Sequence, residues 1–263
     1  MCILAFKPLG SKLPTDEALI AMSKANAHWG GFAYWKRGDK KVTINKGFMS
    51  WADAMINAMK RVGIYDNPKD YEVLIHFRWA TMGGKNAWNT HPYVLTDKVS
   101  QIRTTCGEVE LGVMGHNGMF TAPPQKEDDK DLDFSDTALM VRHIFSQVPQ
   151  EEIMDEEFKK YVEGKISWNK LVFLFPNGDY SIYNEKGWTW DNGVWYSNKT
   201  FEYQMGEGKK TSYNYDDDDL DDYYRGTSQC ECCEAYTNNR VRLDDWDHAL
   251  WVCQDCKRQY YKL

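Results

Sequence analysis

Hydrophobic and polar positions alternate along this chain in a way that marks out its elements. It opens on a short apolar run, residues 2–6, of the kind that forms a buried strand, and Pro8 and Gly10 close it. Residues 15–27 suit a helix, and strand-like segments follow at 31–35 and 41–46 around the turn-rich Arg37-Gly38-Asp39. Ser50 with Asp53 reads as a capping-box-like start. Beyond it Trp51, Met55, Ala58, Met59 and Val62 recur on one helical face, which should pack on that sheet. Residues 73–79 predict a strong strand, followed by a polar segment at 80–93 rich in Gly, Asn and Thr, and long ordered loops of this kind are often functional. Another strand is expected at 111–120, interrupted at His116-Asn117-Gly118, and then a helix starting near Ser135. Residues 171–175 and 180–183 flank Asn177-Gly178, a two-residue hairpin signal.

This order predicts a mixed body of helices and strands over residues 1–205. From 206 to 228 the chain turns polar, with the acidic run Asp216-Asp217-Asp218-Asp219-Leu220-Asp221-Asp222, which reads as a solvated, self-repelling linker or an acidic docking tail. Residues 229–263 form a separate cysteine-rich module.

Composition narrows the function classes. With 263 residues, 42 % of them hydrophobic, the chain can bury a sizeable core, and its 11 Trp and 16 Tyr fit a folded, enzyme-like body. The net charge of −7 does not recommend a nucleic-acid backbone as the main partner. No stretch approaches the ~20 apolar residues of a membrane span, and the start lacks the pattern of a signal peptide, so the expected location is cytoplasmic. Five of the 7 cysteines crowd into residues 230–256, which suits a reducing compartment.

Two groups of residues carry chemistry. Cys230-x-x-Cys233 and Cys253-x-x-Cys256 stand 19 residues apart, the spacing of a four-thiolate zinc site. Such a site is closed and structural, and in so short a module Zn²⁺ would supply much of the folding free energy. Cys2 is the other. Once Met1 is removed, its thiol and its α-amine belong to one residue, and an amine of pKa ~7.7–8.0 can take the thiol proton near neutrality.

The body then carries His76-Phe77-Arg78-Trp79-Ala80-Thr81, Asn89-Thr90-His91-Pro92, Gly115-His116-Asn117-Gly118 and Ser135-Asp136-Thr137 in that order. Together with Met1-Cys2 these segments resemble the motifs of class II glutamine amidotransferases, enzymes of the N-terminal nucleophile hydrolase fold. The likeness is greatest to stand-alone amidotransferase-like proteins encoded by bacteriophages, which open as residues 1–8 do and carry a later segment like 191–198. The resemblance implies an α+β fold, a four-layer αββα sandwich, to which the zinc ribbon read from the cysteine spacing is added. It makes Cys2 the nucleophile toward the side-chain amide of L-glutamine, and Asn117 with the N–H of Gly118 the oxyanion donors. It gives Arg78 and Thr81 to the substrate carboxylate, Asp136 to its ammonium, and Trp79 and His91 to the pocket wall. The chain departs from the family pattern at Ile3, where Gly is common, and at Met82 and Ala138, where synthase-linked relatives carry His and Glu.

No synthase domain fits in the residues after 205, so the resemblance implies ammonia delivered to a partner enzyme or released. A different reading keeps the amidotransferase fold as a scaffold that binds a host complex through the ribbon or acidic segment. A third keeps the nucleophile but gives it another small amide.

Overall fold

The expected first strand forms as β1 (Ile3–Lys7), and every residue in it is buried, so each of its two faces meets a core. In the computed structural model the described residues are 2–48, 52–121, 123–185 and 190–205, with short strands between 228 and 253. After β1 come α1 (Asp16–Ala25), β2 (Gly30–Lys36), β3 (Val42–Phe48), α2 (Ala52–Arg61) and β4 (Tyr71–Phe77). The middle of the chain gives β5 (Tyr93–Val94), α3 (Val99–Ile102), β6 (Cys106–Val109), β7 (Val113–Asn117) and α4 (Asp136–His143). It continues with α5 (Gln150–Ile153), α6 (Glu156–Ile166), β8 (Lys170–Leu174), β9 (Tyr180–Tyr183), β10 (Trp190–Asp191), β11 (Val194–Tyr196) and α7 (Glu202–Met205).

Seven strands form one antiparallel sheet in the order β10-β11-β1-β4-β2-β3-β6, and four form a second in the order β5-β7-β8-β9. Alternation along the strands sorts side chains into three cores. Ile3, Ala5, Val73 and Ile75 pack with Leu19 and Met22 of α1 and Met55 and Met59 of α2. Their neighbours Leu4, Phe6 and Leu74 pack with Val113, Val172 and Leu174 of the second sheet. Met114, Leu171 and Phe173, on the other face of that sheet, pack with Leu139 of α4, Ile153 of α5 and Val162 and Ile166 of α6. Helices thus cover one face of each sheet, and the remaining faces meet across Gly115, where an added Cβ would stand 2.6 Å from Leu4 Cδ1. The chain is a mixed α+β protein with antiparallel sheets.

Two local expectations change. β7 runs through His116 and Asn117 instead of breaking there, because Leu171 and Lys170 of β8 pair with them, and the strand ends only at Gly118. The hairpin at Asn177-Gly178 has a three-residue loop: Gly178 N–H donates to Phe175 O at 3.0 Å, and Phe175 N–H to Asp179 O at 2.9 Å. Gly178 takes the positive φ of +84° that such a loop requires. Two further helices, α5 over residues 150–153 and α6 over residues 156–166, form where the sequence shows no clear apolar stripe.

Beyond residue 227, β12 (Ser228–Gln229) pairs with β13 (Tyr236–Thr237), and β14 (Arg240–Asp244) with β15 (Ala249–Cys253). Cys253 ends β15 opposite Arg240 in the pairing. The other expected zinc ligands, Cys230, Cys233 and Cys256, lie outside the described residues, as do the acidic run, Ser50 and Trp51. Among the described residues no group of three His, Cys, Asp or Glu side chains is placed to hold a metal ion. No helix among them is long and apolar enough to cross a membrane.

Candidate active site

Pairing of Ile3 with Phe77 in the β1–β4 ladder sets Cys2 beside the residues that leave β4. The Trp79 N–H donates to Cys2 Sγ at 3.3 Å, and the thiol donates back to Trp79 O at 3.5 Å. Cys2 O accepts from Asn198 Nδ2 at 2.9 Å, and the Asn198 side chain is itself held by Thr200, whose N–H and Oγ1 both donate to Oδ1. Burial pushes the thiol pKa up, countered in part by the Trp79 N–H.

Arg78 follows β4 with its backbone tied to Trp29 and His28. Its guanidinium is buried and donates to Gly84 O at 2.8 Å and Met82 O at 2.9 Å, so the cation both faces the site and braces the loop that rims it. The Trp79 ring stacks on His28 with centroids 4.5 Å apart, while His28 Nδ1 accepts from Ala80 N–H at 3.0 Å. Burial, with Lys85 and Arg78 nearby, lowers the His28 pKa to about 4, so the ring is neutral near pH 7.

The polar segment after β4 owes its order to Asn89, which is fully buried. Its Nδ2 donates to Gly84 O and Asp133 O, and its Oδ1 accepts from Tyr93 Oη and Ser135 N–H, each between 2.9 and 3.1 Å. One amide thereby stitches the loop to the entry of α4. His91 sits between His76 and Tyr93, its ring centroid 4.0 and 4.9 Å from theirs.

Ser135 caps α4 by accepting from Ala138 N–H at 3.1 Å, which relieves Asp136 of that role. Asp136 Oδ2 accepts from Phe120 N–H at 2.7 Å in a buried setting. Gly118 holds a φ of +153°, and a Cβ there would fall on Asn169 Oδ1, so no side chain fits. Asn169 Oδ1 instead accepts from Met119 N–H at 2.6 Å and lies 2.9 Å from His116 Nε2. His116 Nδ1 lies 2.7 Å from Thr137 Oγ1. Behind this turn, Asn117 Nδ2 donates to Ser197 Oγ at 2.7 Å.

Of the residues expected from sequence, Cys2, Arg78, Trp79, Thr81, His91, Gly118 and Asp136 line one cleft, joined by Met82, His116, Ser135 and Thr137. Asn117, next to Gly118, is buried and is not among the residues that line the cleft. A wider hollow near Thr96, Lys98 and Glu108 carries neither cysteine nor histidine. The cleft offers a thiol, a fixed guanidinium and a carboxylate, a set suited to an amino acid bearing both an α-carboxylate and an α-ammonium. No pattern in the sequence assigns a role to His28, Asn89, Asn169, Ser197 or Asn198. The segment holding the last two drew notice only through the family resemblance.

No protein-family profile matches the chain. It is similar to a protein of Haemophilus influenzae (strain Rd) named "Putative glutamine amidotransferase", with 28 % identity over 125 residues. The match covers 44 % of this chain and 39 % of that protein, so less than half of either is shared.

Proposed function

We propose that this chain hydrolyses the side-chain amide of L-glutamine through a thioester on Cys2, giving glutamate and ammonia for a partner enzyme. The observation that carries the reading is the meeting of a thiol at the second position with Arg78 and Asp136 in one cleft. Partial similarity to the Haemophilus influenzae protein named "Putative glutamine amidotransferase" supports it. The helix, sheet, sheet and helix succession of the three cores is the layering that an N-terminal nucleophile hydrolase sandwich requires.

Arg78 takes the α-carboxylate, aided by Thr81, and Asp136 the α-ammonium. Trp79 and His91 confine the side chain. With Met1 removed, the α-amine of Cys2 accepts the thiol proton and Sγ attacks the amide carbon. Negative charge collects on the amide oxygen, where Asn117 Nδ2 and the Gly118 N–H donate to it. Collapse of this species breaks the C–N bond, and the nitrogen leaves as ammonia with the proton the amine had taken. Water then adds to the thioester and Sγ departs, releasing glutamate.

The test is glutamate release by protein whose first residue is Cys2, set beside Cys2→Ala and Arg78→Ala. Release lost in both variants upholds the reading, and none from processed wild type removes it. In that event the scaffold reading leads, favoured by the buried, doubly hydrogen-bonded thiol.

For residues 229–263 we propose a zinc ribbon built on Cys230, Cys233, Cys253 and Cys256. The strand pairs β12–β13 and β14–β15 support it, since each hairpin lies next to one Cys-x-x-Cys. About one zinc per chain, released by thiol modification and lost in Cys253→Ser, is the expected result.

A further inference from the structure

We propose that Ser197 is a positioning residue that sets the oxyanion donor Asn117 against the strand carrying the nucleophile; the proposal rests on the glutaminase reading above. Ser197 follows β11 in the larger sheet, whereas Asn117 ends β7 in the smaller one. Their side chains meet at 2.7 Å, and both residues are buried, Ser197 completely. The same Ser197 Oγ accepts from Leu4 N–H at 2.9 Å, and Ser197 N–H donates to Leu4 O at 2.8 Å. A single side chain therefore fixes the register between β1, two residues past Cys2, and the amide at the end of β7. Lys170 Nζ of β8 donates to Ser197 O and ties the second sheet to the same point.

The hydrogen-bonding capacity of the serine hydroxyl gives the contact its function. Both lone pairs of Ser197 Oγ are taken, by Leu4 N–H and by Asn117 Nδ2, so one amide hydrogen of Asn117 is committed and the other is left for an oxyanion. Asn117 Oδ1 is buried with no partner among the described residues. Exchanging the two ends of the amide preserves the contact, because the Ser197 hydroxyl then donates to Oδ1 and the whole NH₂ group becomes available. In either arrangement the serine dictates the plane of the amide. Nothing in this network touches Arg78 or Asp136, so removing the hydroxyl should disturb the chemical step and leave substrate binding alone.

Steady-state kinetics of glutamate release test this in Ser197→Ala, Asn117→Ala and the double variant. We expect kcat to fall on the order of ten- to a hundredfold in Ser197→Ala, with KM for glutamine within about twofold of wild type. Ser197→Ala introduced into Asn117→Ala should cost almost nothing further, since the group being positioned is gone. Ser197→Cys fills the same space with a weaker hydrogen-bonding group; it should show an intermediate kcat and serves if the alanine variant does not fold. Equal losses from Ser197→Ala in both backgrounds, or a raised KM at unchanged kcat, would overturn the proposal while leaving the glutaminase reading intact. A processed wild type that releases no glutamate overturns that reading, and this proposal with it.

Discussion

Cys2 and Trp79 are bound to each other in both directions, the thiol accepting the Trp79 N–H at 3.3 Å and donating to the Trp79 carbonyl at 3.5 Å. A sulfur that donates is protonated, and burial pushes its pKa above the ordinary thiol value. Without a base of its own, this thiol reacts slowly near neutrality. Iodoacetamide labelling at Cys2, followed by mass spectrometry, should therefore rise only at alkaline pH when residues precede Cys2. In protein that begins at Cys2 it should rise near pH ~7.7–8.0, where the α-amine loses its proton. Superimposable profiles for the two forms would mean that the amine is not the base.

Arg78 faces the cleft and also holds the carbonyls of Met82 and Gly84, so its replacement acts on binding and on folding together. Arg78→Lys keeps the charge but cannot span both carbonyls and a carboxylate. We expect KM for glutamine to rise at least tenfold and stability to fall by about 2–4 kcal/mol, given two hydrogen bonds from a charged donor. Urea denaturation and kinetics on one preparation check both. A variant with wild-type stability and a raised KM would show that the loop needs no brace.

Much of this architecture is written in residue parity and spacing. β1 through β4, α1 and α2 follow from apolar periodicity, because each carries a buried apolar face, that of β3 lying in the core between the sheets. α6 does not, since only Val162 and Ile166 of its 11 residues are buried and the stripe is too thin to read. His116-Asn117-Gly118 looks like a turn because Asn and Gly favour one, yet pairing with β8 keeps His116 and Asn117 in the strand. The cleft residues announce themselves through their order and residue types. Ser197 does not: it is one serine after a strand, and it meets Leu4 across 193 residues only because β11 pairs with β1. Asn89 likewise stands in a legible motif, but its work as a four-bond stitch depends on partners at 133 and 135 that no local pattern supplies.

Asp136 separates charge from hydrogen bonding, since the bond it accepts from Phe120 N–H would survive in an amide. Asp136→Asn should fold as wild type while losing its attraction for the α-ammonium of glutamine. The expected sign is selectivity: wild type should prefer glutamine over glutaramate, which lacks the ammonium, by a wide margin. In the variant that margin should shrink on the order of tenfold or more in kcat/KM, chiefly through glutamine. An unchanged ratio would show that Asp136 serves the backbone alone.

Lys7 and Glu72, on the adjacent strands β1 and β4, give stability a pH dependence unrelated to the cleft. Burial pushes the Glu72 carboxyl up to about 7, although the Leu9 N–H and Lys7 oppose the shift, and burial lowers Lys7 to about 8. An unfolded glutamate titrates near ~4.3 and an unfolded lysine near ~10.4. Between pH ~4.3 and 7 the folded chain holds a proton on Glu72 that the unfolded chain has released, so this group's contribution falls as pH rises through that window. Between pH 8 and ~10.4 the unfolded chain holds the extra proton, on Lys7, and stability recovers as pH rises. Glu72→Gln removes the first slope; because the Glu72 carboxylate helps hold the Lys7 pKa up, it also starts the second slope at lower pH, and the variant should differ little from wild type at pH 4.5. Urea unfolding of both proteins across this range gives the difference directly. A variant curve parallel to that of wild type from pH 4.5 to 7 would show that Glu72 is ionised throughout in the folded protein.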